Sequence, residues 1–443
     1  MQDSPRDILE GLFRAAVAAA DPVKAVNAAL EKTQISAGGR LFLLALGKAS
    51  PAMAEAALTW SRDRGKPMSG GVVVSPHPVA HKHPPIIHFK TGDHPIPGEH
   101  SLHAADAVDK MTRELRNEDE VWVLLSGGTS SLIGAPVPGV APDDFVRLFH
   151  QLLASGLDIR TMNLIRKRVS RWGAGRLALA LSPARVRVFA ISDVADDDLA
   201  TIGSGPCAPD PTSAAELRTM LEAGGIWQDL PATIGSYIDE VMAGLRGETP
   251  KFDDPRFSRV HSRVLANTRT AIDGAVARAR ELGLPCEIKG SLQGDATERG
   301  AFVARHLVQA AAAGRRGVFL WGGETTVTLD LPSTAPDRVS RPARPRMGGR
   351  CQDLALSAAV WLAEAQVGDQ ITILAAGTDG RDGPTDAAGG VVDGTTAAKV
   401  GNPRDHLERH DAYPALNRAQ ALLVTGPTGT NVRDLVIGLI KEQ

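Results

Sequence analysis

The stretch AAGTDGRDGPTDAAGG, residues 375–390, sets Asp379, Asp382 and Asp386 among five glycines directly after the apolar run ITILAA. Carboxylates on a loop at a strand end suit a divalent cation such as Mg2+ or the acceptance of a proton. They suit a plain turn equally well, because Gly accepts positive φ and Asp bonds its own backbone. The choice therefore falls to the other segments whose residue types can do chemistry.

Lys48 in LALGKAS follows an apolar run and one glycine. An ammonium where a strand gives way to a helix suits an anionic group, which the helix dipole also favours; a solvated lysine is the alternative. LLSGGTSSL brings Ser126, Gly127, Gly128, Thr129, Ser130 and Ser131 to a second such junction. Paired glycines there let backbone N–H groups converge on a phosphate or carboxylate and the hydroxyls add donors, or the segment simply caps the next helix. In ISDVADDDLATIGSGPCAPDPT, Asp193 stands after a strand and is placed for Mg2+ or a proton. Asp196, Asp197 and Asp198 read as a solvated helix start. Arg350 follows two glycines and precedes a helical pattern, where its planar fork could clamp a carboxylate or lie on the surface. Arg166, Lys167, Arg168 and Arg171 cannot share one face at 3.6 residues per turn, which predicts a largely solvated basic face.

The elements that must position these residues repeat along the chain. A short apolar run, a Gly-rich polar loop and a helical pattern follow one another at least six times: RLFLLALGKAS, EVWVLLSGGTSS, RVRVFAISDVADDD, GVFLWGGETT, ITILAAGTDGRDG and ALLVTGPTGTN. Apolar runs without alternation, interleaved with helices, predict parallel sheets covered on both faces. In such α/β folds ligands gather outside the carboxyl ends of the strands, which is where each of these loops falls. The common fingerprints are absent. Phe42 stands where a P-loop needs Gly and Ala49 where it needs Ser or Thr, no G-x-G-x-x-G follows the first strand, and G-x-S-x-G and H-E-x-x-H do not occur.

At 443 residues the chain exceeds what one core usually fills, so two domains are expected. The polar segment GLRGETPKFDDPRF, residues 244–257, is the natural break and gives domains 1–248 and 249–443. A second irregular segment, 331–349, is rich in Pro and Arg and reads as a surface excursion or a flap over a cleft. Lys and Arg number 49 against 51 Asp and Glu, so no global field draws the chain to nucleic acid or an anionic membrane, and a small-molecule partner is the default. Cys207, Cys286 and Cys351 are too scattered for a disulfide framework or a structural zinc site and fit a reducing cytoplasm. The N-terminus has the makings of an amphipathic helix rather than a signal peptide, and no run approaches a membrane span, so a soluble protein is expected. Oligomeric state is left open, a homo-oligomer included.

Taken in order, ALGKAS, TGDHPIPGEHS, LLSGGTSSL, ISDVADDDLATIGSGP, APDPT, GGETTVTL, GGRCQDLAL, AAGTDGRDGPTDAAG and VTGPTGTNVRDL resemble the glycerate 2-kinase family with a C-terminal MOFRL domain. The resemblance implies a Rossmann-like N-terminal domain, a smaller α/β C-terminal domain and an active site in the cleft between them. It implies ATP-dependent, Mg2+-assisted phosphorylation of the C2 hydroxyl of D-glycerate. The family's cleft Lys and Arg carry over to Lys48 and Arg350, the first expected on the transferred phosphoryl group and the second on the substrate carboxylate or sharing that phosphoryl contact. Residues 126–131 and Gly322, Gly323 and Glu324 are expected to cradle nucleotide or substrate. Asp193 and Asp379 are expected to bind Mg2+ or take the C2 proton, with Asp386 the next metal candidate and Asp382 a turn residue. Cys207, Cys351 and Asp353 depart from the family's usual Thr, Asn and Glu. A rival reading is an NAD(P)H-linked hydroxypyruvate reductase, against which the missing G-x-G-x-x-G counts.

Overall fold

The run Leu41–Leu46 is buried at every position, which a strand sustains where its sheet is covered on both faces. It forms β1 in the computed structural model, which describes residues 3–35, 38–79, 84–154, 159–327 and 346–441. The segment 331–349 lies outside the described residues up to position 345. The chain divides into two units, Pro22–Leu265 and the pair Met1–Asp21 with Ala266–Gln443.

The Pro22–Leu265 unit holds β1, β2 (Gly70–Ser75), β3 (Ile87–Thr91), β4 (Glu120–Leu125), β5 (Arg185–Ile191) and β6 (Val260–Ala266), in the order β3-β2-β1-β4-β5-β6. β1 runs parallel to β2 and β4, β2 to β3, and β4 to β5. The parallel, Rossmann-like sheet expected is thus present. Its order reverses between β1 and β4, which makes their carboxyl ends the topological switch point where ligands bind in such sheets. Leu44, Val72, Val123 and Val188 pack with Ala104 and Val108 of helix Glu99–Thr112 and with Leu177 of helix Arg176–Leu181.

The other unit holds β7 (Cys286–Asp295), β8 (Gly317–Thr326), β9 (Ile371–Gly377), β10 (Gly389–Asp393), β11 (Leu422–Leu423) and β12 (Asp434–Ile440), in the order β11-β10-β9-β12-β8-β7. β7 and β8 are parallel, but β8 with β12, β12 with β9, β9 with β10 and β10 with β11 are antiparallel. The expectation of a second parallel sheet is corrected here. An unbroken apolar run reports burial on both faces, and says nothing about strand direction. Ile371, Ile373, Ala375, Val436 and Ile440 share a core with helices Ala296–Ala312 and Arg350–Glu364.

The expected break at 248/249 also differs from the observed one. The chain stays with the first sheet through β6, which adds a strand beside β5, and changes unit at Leu265/Ala266. Helix Pro5–Ala19, amphipathic as expected with Leu9, Leu12, Phe13 and Ala16 buried, belongs to the C-terminal unit. It packs on helix Thr268–Glu281, where a Cβ at Gly274 would stand 2.4 Å from that of Ala19, so a glycine is what admits the crossing. Among the described residues no helix is long and apolar enough to cross a membrane.

Candidate functional site

In the N-terminal unit, the loops leaving β1 and β4 are stapled together. The Lys48 N–H donates to Gly127 O at 2.9 Å and the Ala49 N–H to Ser126 Oγ at 3.0 Å. Thr129 Oγ1 in turn donates to Ser126 O at 2.8 Å. The hydroxyls of Ser126 and Thr129, both fully buried, therefore build the loop. That narrows the expected cradle to Gly127, Gly128 and Ser130. Gly128 has φ +87°, a conformation costly for any other residue, and a Cβ added there would lie 3.4 Å from Lys48 Cγ and 3.1 Å from the His94 ring. Ser130 Oγ lies 2.6 Å from Ser204 Oγ, which brings the GSGP loop to the same rim. Asp193, two residues beyond β5, is half-buried. Asp198 does not start a solvated helix; its carboxylate accepts from the Ala200 N–H and Thr201 Oγ1, both at 2.9 Å, and closes a turn.

The basic helix Ile159–Val169 is the largest departure from expectation in this unit. Lys167 and Arg168 are buried, 3% and 1% exposed, and so are not part of a solvated face. Lys167 Nζ lies 2.7 Å from Asp210 Oδ1, and Arg168 pairs with Asp210 and Glu248. Burial pushes the Asp210 carboxyl up, but Lys167 and the Thr212 N–H outweigh it and hold it below its ordinary value. Glu248 is likewise held at about 2, its burial overcome by the N–H groups of Ala214 and Thr249 and by Arg168. This network braces the GSGPCAPDPT loop, whose Ser204 and Gly205 carbonyls accept the N–H groups of Ala174 and Gly175 at 2.9 and 2.7 Å. Helical periodicity spread the four charges around the axis correctly, but it could not see acidic partners 40 to 80 residues away. Arg166 lies over the Phe149 ring at 4.9 Å and Arg171 pairs with Asp106 at 2.9 Å.

In the C-terminal unit the site is built around Arg350, the first residue of its helix. Its Nε and Nη2 fork onto Asp434 at 2.6 and 3.0 Å, and its Nη1 meets Glu324 Oε1 at 2.8 Å. Those two carboxylates hold the guanidinium firmly protonated against the opposing effect of burial. Asp379 stands just beyond β9; its Oδ1 and that of Asp434 would lie 3.3 and 3.5 Å from a Cβ at Gly377, so both reach the same strand end. Gly322 and Gly323 sit inside β8, beside Leu435 and Asp434 of β12, rather than in a loop. With Glu324, Thr325, Cys351 and Asp434 they line a small recess with room for about one water molecule.

Asp382 and Asp386 stand in different settings. Asp386 is exposed, its Oδ1 accepting from Tyr413 OH at 2.7 Å. Asp382 is buried and caps the Arg350 helix, taking the N–H groups of Cys351 at 3.1 Å and Gln352 at 2.8 Å. Burial pushes its carboxyl up to about 7, against the pull of the Gln352 N–H and with Asp434 adding to the push. The folded chain thus keeps a proton that the unfolded chain releases near 3.8. This group's share of the stability is complete below about pH 4 and is lost as pH rises through about 7. The urea midpoint is accordingly expected to fall between about pH 5 and pH 7.5, and Asp382→Asn to flatten that slope. An unaltered slope in the variant would assign it to another group. Asp353, one turn along, bonds His410 at 2.7 Å; burial pushes its carboxyl up to about 6 against the pull of His410.

Among the described residues no three His, Cys, Asp or Glu side chains cluster as a metal cage. Asp434, His94 and Ser204 were not foreseen beside the candidate site. Asp434 lies inside the quoted VTGPTGTNVRDL, His94 inside TGDHPIPGEHS and Ser204 inside ISDVADDDLATIGSGP, so the signal was the motif and not the individual residue.

Two family models match the chain, one described as a domain of unknown function, DUF4147, over residues 8–239, and one for the MOFRL family over residues 317–434. A D-glycerate 2-kinase of Thermotoga maritima is 36% identical over 440 residues, spanning 97% of both chains. A glycerate 2-kinase of Pyrococcus horikoshii is 33% identical, spanning 99% of this chain and 98% of its own. A protein of Agrobacterium vitis named a putative hydroxypyruvate reductase is 35% identical over 98% of this chain and 94% of its own. The crystal structure of glycerate kinase from Thermotoga maritima aligns with a TM-score of 0.81 at 34% identity, covering 98% of this chain and 99% of that one.

Proposed function

Because the chain belongs to the glycerate 2-kinase family, we propose that it transfers the γ-phosphoryl group of ATP to the C2 hydroxyl of D-glycerate, giving 2-phospho-D-glycerate. The observation that carries this reading is the likeness to D-glycerate 2-kinase over nearly the whole of both chains.

Phosphoryl transfer asks a protein chiefly to position two anions and to neutralise the charge on the moving group. Lys48, at the switch point between β1 and β4, contacts the transferred phosphoryl and stabilises its developing charge. The N–H groups of Gly127 and Gly128 and the hydroxyl of Ser130 hold phosphate oxygens at the same rim. Arg350 takes the glycerate carboxylate. A guanidinium carries five N–H donors; Asp434 and Glu324 engage three of them, which aims the remaining donors at the substrate. Gly322, Gly323 and Glu324, whose carboxylate pairs with Arg350, cradle the nucleotide or substrate beside it. Asp193 and Asp379 are the carboxylates assigned to the C2 hydroxyl proton and to Mg2+, with Asp386, already engaged by Tyr413, the less favoured metal ligand. Carboxylate oxygens are hard ligands that suit Mg2+, which keeps several waters and is bound through one or two carboxylates and the substrate phosphates. When bound, Mg2+ neutralises phosphate charge. The three unpaired cysteines favour a reducing cytoplasm as the place of action.

Phosphorus NMR of the product is expected to show phosphate on C2; a 3-phosphoglycerate product would remove the assignment. Because a relative carries the hydroxypyruvate reductase name, ATP consumption on glycerate should be measured beside NADH oxidation on hydroxypyruvate. Turnover in the second assay alone would replace the kinase reading.

A further inference from the structure

The residue before His94 is locked in place. The Asp93 N–H donates to Ser101 Oγ at 2.9 Å, its Oδ2 accepts the Ser101 N–H at 3.1 Å, and its Oδ1 lies 3.0 Å from His100 Nδ1. One residue earlier, the Gly92 N–H donates to Ser75 O at 3.0 Å, tying this loop to the end of β2. The His94 side chain itself is exposed, so it is not a core histidine held by packing. Its ring lies against the Gly127–Gly128 turn: a Cβ at Gly128 would meet His94 Cδ2 at 3.1 Å, His94 Nε2 at 3.4 Å and Lys48 Cγ at 3.4 Å. The absence of a side chain at Gly128 is what lets the imidazole edge and the lysine stem flank one turn of backbone. A neutral imidazole offers one N–H donor, a lysine three, and a phosphoryl group has oxygens enough to accept from both.

We propose that His94 donates a ring N–H to the phosphoryl group that Lys48 contacts. The proposal rests on the kinase reading for the identity of that group, and deepens it by adding a third strand-end loop to the phosphate site. The test compares the full-length wild type, His94→Ala and His94→Gln in steady-state turnover and in calorimetric titration with inorganic pyrophosphate. Loss of one hydrogen bond to a charged group predicts that kcat/KM for ATP and pyrophosphate affinity each fall about tenfold or more in His94→Ala. The KM for glycerate is expected to stay within about twofold, and His94→Gln, which keeps an N–H donor, to recover to within about threefold of wild type. Pyrophosphate affinity unchanged in His94→Ala overturns the proposal, and so does a His94→Gln variant as impaired as His94→Ala, since a packing role would then suffice. If glycerate is not phosphorylated at all while pyrophosphate binding still depends on His94, the activity reading falls and the phosphate contact stands.

Discussion

Arg350→Ala is expected to lower kcat on glycerate about a hundredfold or more, the scale of losing one preorganised electrostatic contact. The arrangement around the guanidinium gives the reason. Asp434 and Glu324 converge on Arg350, and Asp379 reaches the same strand end as Asp434. Without the guanidinium, three carboxylates surround the position proposed for the substrate carboxylate. Arg350→Lys should rescue poorly, because an ammonium is a point charge and cannot reproduce the fork onto Asp434. Lys48→Ala is expected to cost a similar factor in kcat, with thermal unfolding of each variant recorded to separate turnover from folding. Wild-type turnover in both would remove the mechanism.

Asp210→Ala is expected to cost about 3 to 5 kcal/mol of stability, as for a buried ion pair from which one partner is withdrawn. The Lys167 and Arg168 side chains, only 4% and 1% exposed, would lose their shared carboxylate without gaining water. Thr249 Oγ1, which donates to Asp210 Oδ2 at 2.9 Å, would lose its acceptor as well. Urea denaturation read through the N-terminal unit would measure the cost; a loss below about 1 kcal/mol would show that Glu248 and solvent suffice for both cations.

The strands and the loops that leave them were legible because an apolar run closed by Gly, Ser and Asp is a local signal. That pattern alone puts Lys48, the 126–131 turn and Asp379 at strand ends. What failed was whatever depended on direction or on distant partners. Asp434 escapes that pattern because β12 runs antiparallel to β8 and β9 and brings its amino end to the edge where their carboxyl ends lie. Asp382 looked like a turn residue because its role as a cap lies across some thirty residues, on the helix begun by Arg350. The buried pairing of Lys167 and Arg168 with Asp210 was invisible for the same reason.

Helix Pro5–Ala19 lies in the unit formed by the second half of the chain, and Thr430 Oγ1 donates to Ala20 O at 2.8 Å. The Pro22–Leu265 unit is therefore an insertion within the other, joined to it by two covalent crossings. On the ribosome this order has a cost in time. The inserted unit is complete in sequence once β6 has emerged, while the first helix must wait for Thr268–Glu281 and then for β12 before its own core exists. Until β12 has emerged, the apolar face of Leu9, Leu12 and Phe13 waits without its core, open to chaperones and to misassembly.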